Sequence, residues 1–241
     1  MTSYLFVLLV GLIAGAVSGV IGTGSSIMLL PILVYTFGPK QAVPIMAVAA
    51  VMANLARVIA WWRLIDWRAV AVYSATGIPG AALGARTLLA LPADLINGCL
   101  GLFFIAMIPT RHWLAKHRFR LRLWQLALAG AGIGFLTGVV LSTGPLSVPA
   151  FTAYGLTKGA FLSTEAASSL FLYSSKLVTF GELGALPPDL FVKGLLVGAS
   201  LMAGTFAGKI VMLKLSDEGH RLLLDALLLC SGLSLIWAAI R

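Results

Sequence analysis

SGVIGTGSSIMLLPIL, Ser18 to Leu33, is an apolar segment interrupted at its middle by Gly22-Thr23-Gly24-Ser25-Ser26. About 120 positions later the pattern returns as TGVVLSTGPLSVPAF, Thr137 to Phe151, with Ser142-Thr143-Gly144-Pro145 and Ser147 at its centre. Breaking a helix inside hydrocarbon exposes backbone N–H and C=O groups, each costly unless protein or cavity water satisfies it. Glycine permits the turn, and the Ser and Thr hydroxyls cover free backbone groups or hold a ligand. A helix that starts after a break points unpaired N–H groups and the positive end of its dipole into the gap. Two such starts, after Ser26 and after Ser147, facing a common centre near mid-membrane make an anion site.

The composition requires the membrane. Of 241 residues 60% are hydrophobic and 10% charged, with a mean hydropathy of +1.01. A soluble domain needs roughly 25% charged residues to cover its core, so the surplus apolar side chains must face lipid. Apolar segments long enough to cross are Gln41–Trp61, Ala69–Leu91, Ala160–Phe180, Leu190–Leu213 and Leu222–Ile240, with Asp94–Ile108 shorter. Tyr4–Ile21 with Ile27–Phe37, and Leu123–Leu141 with Val148–Tyr154, each read as a helix, a break and a short helix. The N-terminal apolar stretch lacks the basic start of a signal peptide and is read as retained.

The halves also match away from the breaks. Gly15 and Gly19 pair with Gly134 and Gly138 at an offset of 119, as Asn54 and Arg57 do with Tyr173 and Lys176. GAALGARTLL from Gly80 resembles GTFAGKIVML from Gly204. The expected fold is an all-α polytopic membrane protein of two homologous repeats, 1–115 and 123–241, joined by a basic linker, 116–122. Each repeat holds a broken or re-entrant helix pair, with breaks at 22–26 and 142–147, plus three full spans.

The formal charge of +9 comes from basic residues clustered between spans, as in RHWLAKHRFRLR, Arg111 to Arg122. That is the signature of orientation and not of nucleic acid. A cytoplasmic linker puts Arg63 and Arg68 inside and the turn at Pro92 outside. Lys158 and the loop of Lys214 and Arg221 then lie inside, and Glu182 and Asp189 outside. This holds if the repeats are inverted; parallel repeats would place Lys158 and Lys214 outside.

Glycine stripes such as GLIAGAVSG (Gly11–Gly19) and GIPGAALGA (Gly77–Ala85) read as helix-packing faces. Arg57 and Lys176 sit late in apolar segments at equivalent repeat positions, where they line a path, gate it or snorkel to the headgroups. Glu165 lies too far along its helix to pair with Lys176 and is a candidate carrier of a coupling proton. Cys99 and Cys230 read as small buried hydrophobes. Three histidines and eight carboxylates show no metal-ligand spacing, so no enzyme constellation, metal or cofactor is expected.

GAVSGVIGTGSSIMLLPIL, RLIDWRAV, GIPGAALGARTLLAL, GFLTGVVLSTGPLSVPA and LTKGAFLSTEAAS resemble the TauE/SafE sulfite exporter family, also called the 4-toluene sulfonate uptake permease family. The resemblance spans nearly the whole chain and both repeats. It implies a secondary transporter, an exporter by its name, of sulfite, sulfonates or other small anions in a bacterial inner membrane. Two departures stand out: Gly24-Ser25-Ser26 where the family usually has a glycine run, and Tyr173 where it often has Asn. The substrate-binding residues expected are Gly22, Thr23, Gly24, Ser25, Ser26, Ser142, Thr143, Gly144, Pro145 and Ser147, with Asn54 and Tyr173. Arg57 and Lys176 are expected to balance charge or gate. An anion channel and a non-transporting interaction subunit are the alternatives.

Overall fold

The structure, a computed structural model, describes residues 2–21, 25–116, 120–140, 143–211 and 217–240. Within them every regular element is helical: ten α-helices and one 3-10 turn, Trp62–Leu64, joined by short loops. The first five are α1 Thr2–Ile21, α2 Ser25–Phe37, α3 Pro39–Trp61, α4 Trp67–Ala90 and α5 Ala93–Lys116. The other five are α6 Leu123–Val139, α7 Gly144–Tyr154, α8 Lys158–Glu182, α9 Pro188–Val211 and α10 Asp217–Ile240. Both interrupted segments are thus two helices each, α1 with α2 and α6 with α7.

The helices after the breaks start earlier than expected, α2 at Ser25 and α7 at Gly144 instead of after Ser26 and Ser147. Residues 25–26 and 144–147 themselves take helical backbone. The end of α5 differs too. The apolar run ending at Ile108 continues as helix to Lys116. Hydropathy ends there, but Arg, Leu, Ala and Lys propagate a helix well in a polar setting, so α5 carries the first half of the basic stretch from Arg111 to Arg122.

Local chemistry fixes several ends. Asp66 caps α4, its side chain accepting from the Arg68 and Ala69 N–H groups at 3.0 and 3.1 Å, as a helix start requires. Its own N–H donates to Thr164 Oγ1 at 2.9 Å, tying the α3–α4 turn to α8. Gly155, at φ 112°, ends α7 in the left-handed region, where its N–H closes onto the carbonyls of Phe151 and Thr152. A side chain there would be strained.

Glycine seams set the packing. In α6, a Cβ added at Gly130, Gly134 or Gly138 would run into the carbonyl of Tyr73, Gly77 or Ala81 respectively. The two series rise together, so α4 and α6 run parallel with their backbones in contact. In α1, Gly15 abuts the Leu201 carbonyl, and a Cβ at Gly19 would stand 2.6 Å from that of Thr205. α1 and α9 are therefore parallel too. α3 runs parallel to α9, Gly194 lying against Val48 and Gly198 against Met52. α5 and α10 are antiparallel, since Gly101 meets Gly232 and Ile236 while Gly98 meets Ala239. Such backbone approach replaces the hydrophobic drive that lipid cannot supply between helices.

α3 and α8 are central. Every residue from Ala42 to Ala50 and from Phe161 to Ser168 is buried, the mark of a helix surrounded on all sides. Outward surfaces are apolar, with Leu102, Leu128, Phe171, Val178, Trp237 and Ile240 all exposed, while Ser, Thr and three charged side chains lie inside. By length and composition, Lys40–Leu64 and Pro188–Ala207 are able to cross a membrane. Cys99 and Cys230 are exposed, not buried as expected: α5 and α10 meet through Gly101 and Gly232 and turn the cysteines outward.

Candidate functional site

The central helix α8 carries Glu165, Ser169, Tyr173 and Lys176 at spacings of four, four and three residues. That places them on one face, spread over about 16 Å at 1.5 Å per residue. Across from it α3 presents Asn54 and Arg57. Arg57 Nη1 lies 3.1 Å from Glu165 Oε2, with Arg57 6% and Glu165 3% exposed. Neither snorkels; they form a buried ion pair between helices 108 residues apart in sequence. Asn54 orients it, accepting from Arg57 Nη2 on Oδ1 and donating through Nδ2 to the Ala50 carbonyl at 2.8 Å. The other carboxylate oxygen of Glu165 accepts from Ser147 Oγ at 3.1 Å and Ser169 Oγ at 2.9 Å. A buried charge needs this degree of satisfaction to be tolerated.

Lys176 is fully buried at the far end of the stripe, by the second break. Its Nζ donates to the carbonyls of Thr137 at 2.9 Å and Gly138 at 2.6 Å, and lies 5.4 Å from the Phe180 ring centroid. The carbonyls that α6 leaves free at its C-terminus are thus capped by the Lys176 amino group, a basic group placed at the negative end of a helix and over an aromatic ring. Among the described residues, no carboxylate pairs with Lys176.

Thr137 and Thr143 close the second break, their hydroxyls 2.5 Å apart. The N–H groups of Leu146 and Ser147 both bond to the Thr143 carbonyl at 2.9 Å, and Pro145 has none. The first turn of α7 is therefore less open to an anion than expected from sequence, and its Ser147 hydroxyl is already engaged with Glu165.

At the first break, Gly22, Thr23 and Gly24 lie outside the described residues, as does Ser142 at the second; the Pro145 side chain is not described either. Ser25 and Ser26 open α2 and are buried, and Ser26 is hydrogen-bonded to Tyr173. Pro31 cannot donate to the carbonyl of Ile27 four residues before it; Ser231 Oγ of α10 donates there instead, at 2.6 Å. Ser18 Oγ, buried near the end of α1, has no hydrogen-bond partner among the described residues, whereas Thr137, 119 positions later, is engaged with Ile133 and Thr143.

The structure therefore brings Asn54, Arg57 and Ser147 together around Glu165, joins Ser26 to Tyr173, and sets Lys176 beside Thr143's partner Thr137. Sequence reasoning missed the Arg57–Glu165 pair and the contacts of Ser169 and Thr137. The even spacing of polar residues along α8 was the available signal. Among the described residues no three His, Cys, Asp or Glu side chains cluster as metal ligands would.

The family model "Sulfite exporter TauE/SafE" matches residues 7–235. The chain is also 24% identical over 253 residues to the "Probable membrane transporter protein YjnA" of Bacillus subtilis (strain 168), covering 95% of this chain and 98% of that protein. No solved structure matches. The chain belongs to the TauE/SafE sulfite exporter family, and the all-helical fold with its apolar exterior is that of a membrane protein.

Proposed function

We propose that this member of the sulfite exporter TauE/SafE family is a multi-pass secondary transporter of the bacterial inner membrane, exporting small sulfur-containing or organic anions. The observation that carries the reading is the interior charge. Among the described residues three charged side chains are buried, Arg57, Lys176 and Glu165, two cations against one carboxylate. A buried charge costs several kcal/mol after relaxation, so a surplus cation held beside a broken helix calls for an anion. The bound anion lies along the α8 stripe between Arg57 and Lys176. Tyr173, Ser26, Thr143 and Ser147, with Gly22, Thr23, Gly24, Ser25, Ser142 and Gly144 of the two breaks, supply its hydrogen bonds, and Pro145, which has no N–H, shapes the second turn.

Inverted repeats, 1–115 and 123–241 about the linker 116–122, fit the packing directions. If α1 runs upward, α9 and α3 run upward with it. α4 and α6 then run downward, and α6, the counterpart of α1, enters from the opposite side. With α1–α2 and α6–α7 each entering and leaving on one face, the arrangement puts Arg63, Arg68 and the basic linker on a common side. Rocking of one repeat against the other exposes the site alternately.

The test is thermal unfolding in detergent with sulfite, thiosulfate, sulfate, sulfoacetate, taurine and carboxylates, at ionic strength matched with chloride. A bound anion at 100 times its dissociation constant stabilises by about 2.7 kcal/mol. That gain should vanish in Lys176→Met. Liposomes then separate mechanisms: saturable counterflow marks a carrier, and ohmic current marks a channel. Stabilisation by none of the anions would remove the reading.

A further inference from the structure

The anion site already contains an anion. The Glu165 carboxylate accepts from Arg57 Nη1 on one oxygen and from Ser147 and Ser169 hydroxyls on the other. Three donors converge on one buried carboxylate, and two of them belong to elements other than its own, α3 and the first turn of α7. A sulfonate, sulfite or carboxylate ligand has the same need, oxyanion acceptors with negative charge, and would use the same donors. Glu165 and a substrate cannot both hold them.

We propose that Glu165 is a tethered competitor for the transported anion, and that the substrate takes Arg57 and Ser147 only as Glu165 leaves them and binds a proton. This deepens the transport reading and rests on it. A carboxylate displaced from its guanidinium stays in a buried setting beside a second anion. Both the lost partner and the new like charge favour the protonated acid. The proton comes from solvent hydronium: its O–H bond breaks, leaving water, as the O–H bond of the Glu165 acid forms. One proton therefore accompanies each anion, and by linkage acid strengthens anion binding as much as the anion strengthens proton binding.

The groups facing Glu165 are Arg57 from α3 and Tyr73 from α4, with Tyr173 on α8 itself; α7 contributes Ser147, which does not titrate. Lys176 lies farther along the same α8 face and is engaged with the α6 carbonyls. Glu165→Gln, which keeps Arg57, Lys176 and both tyrosines, separates the carboxylate from these neighbours.

The experiment measures affinity for sulfate, thiosulfate and sulfoacetate, none of which titrates near neutrality, from about pH 5.5 to 8 on the full chain in detergent. While Glu165 is ionised in the empty protein, affinity should rise about tenfold per unit fall in pH, the slope of one linked proton. Glu165→Gln removes that titration and keeps Lys176, so its profile should be flat, with tighter binding than the wild type at the alkaline end. A flat wild-type profile overturns the proposal, and so does a slope that survives in Glu165→Gln. Should that variant not fold, calorimetry of the wild type in two buffers of different protonation heat decides instead. Uptake of about one proton per anion supports the proposal and uptake of none overturns it. Binding without proton uptake leaves the transport reading intact; no binding of any anion removes both.

Discussion

Arg57 and Lys176 are both basic, both buried and 119 residues apart, yet the protein treats them differently. Arg57 meets a carboxylate from the other half of the chain, with Asn54 holding its second nitrogen. Lys176 meets backbone, the last carbonyls of α6, and an aromatic ring. One cation is neutralised by a partner that is equally dependent on it. The other rests on dipoles, which lower the cost of its charge without cancelling it. The difference separates two jobs that sequence symmetry merges: the Arg57 end should govern folding and gating, the Lys176 end the attraction of the anion.

The sharpest way to break this contrast is Arg57→Leu, which leaves Glu165 buried without its cation. We expect a loss of about 3–5 kcal/mol in stability, the usual cost of removing one partner of a buried pair. It is read as thermal unfolding in detergent without ligand. Arg57→Leu combined with Glu165→Leu should recover most of the loss, because two apolar side chains replace a satisfied pair at little cost. Equal losses in the single and double variants would show that the pair is not the source of the stability.

Lys176→Met tests the other end. The substitution strands no carboxylate, but it takes the donor from the Thr137 and Gly138 carbonyls, so stability without ligand should fall by about 1–3 kcal/mol, less than for Arg57→Leu. The stabilisation by a saturating anion, about 2.7 kcal/mol at 100 times the dissociation constant, should disappear. A large fall in stability with anion binding retained would reverse the assignment of the two ends.

The two breaks differ in the same manner, and the difference explains what was legible in the sequence. Both were visible as Gly, Ser, Thr and Pro inside apolar runs, because the backbone chemistry that interrupts a helix is local. The glycine seams were visible for the same reason, since spacing alone puts Gly130, Gly134 and Gly138 on one face. What holds each break was not legible. The first is held by Ser231, which reaches across 204 positions to the carbonyl that Pro31 leaves unserved. The second is closed by its own flanks, Thr137 and Thr143, and by Lys176. Likewise the eleven residues between Glu165 and Lys176 argued against pairing them, but nothing local pointed to Arg57. Hydropathy hid the last turns of α5, because helix and apolar run need not end together.

Ser231→Ala sharpens the comparison of the breaks. It strands the Ile27 carbonyl at the start of α2, a buried acceptor whose loss of a donor costs about 1–3 kcal/mol. The second break should be untouched, so anion binding through Lys176 should persist in the folded fraction. Loss of anion binding in proportion to stability would mean that the two breaks act as one unit.

The smallest expected effect falls between the two ends, at Tyr173. Its hydroxyl is hydrogen-bonded to Ser26, joining α8 to the first turn of α2, and its ring stands on the same face as Glu165 and Lys176. Tyr173→Phe keeps the ring and removes that one bond, so stability should fall by about 0.5–1.5 kcal/mol. If Tyr173 only staples α2 to α8, the anion panel should keep its order of affinities. If its hydroxyl also serves the bound anion, affinities should drop while the order by size is kept, because the ring still fills the same space. Tyr173→Asn, which empties that space and restores a polar group, should then admit larger sulfonates. A panel unchanged in both variants would remove Tyr173 from the site and leave the path between Arg57 and Lys176 to the groups of the two breaks.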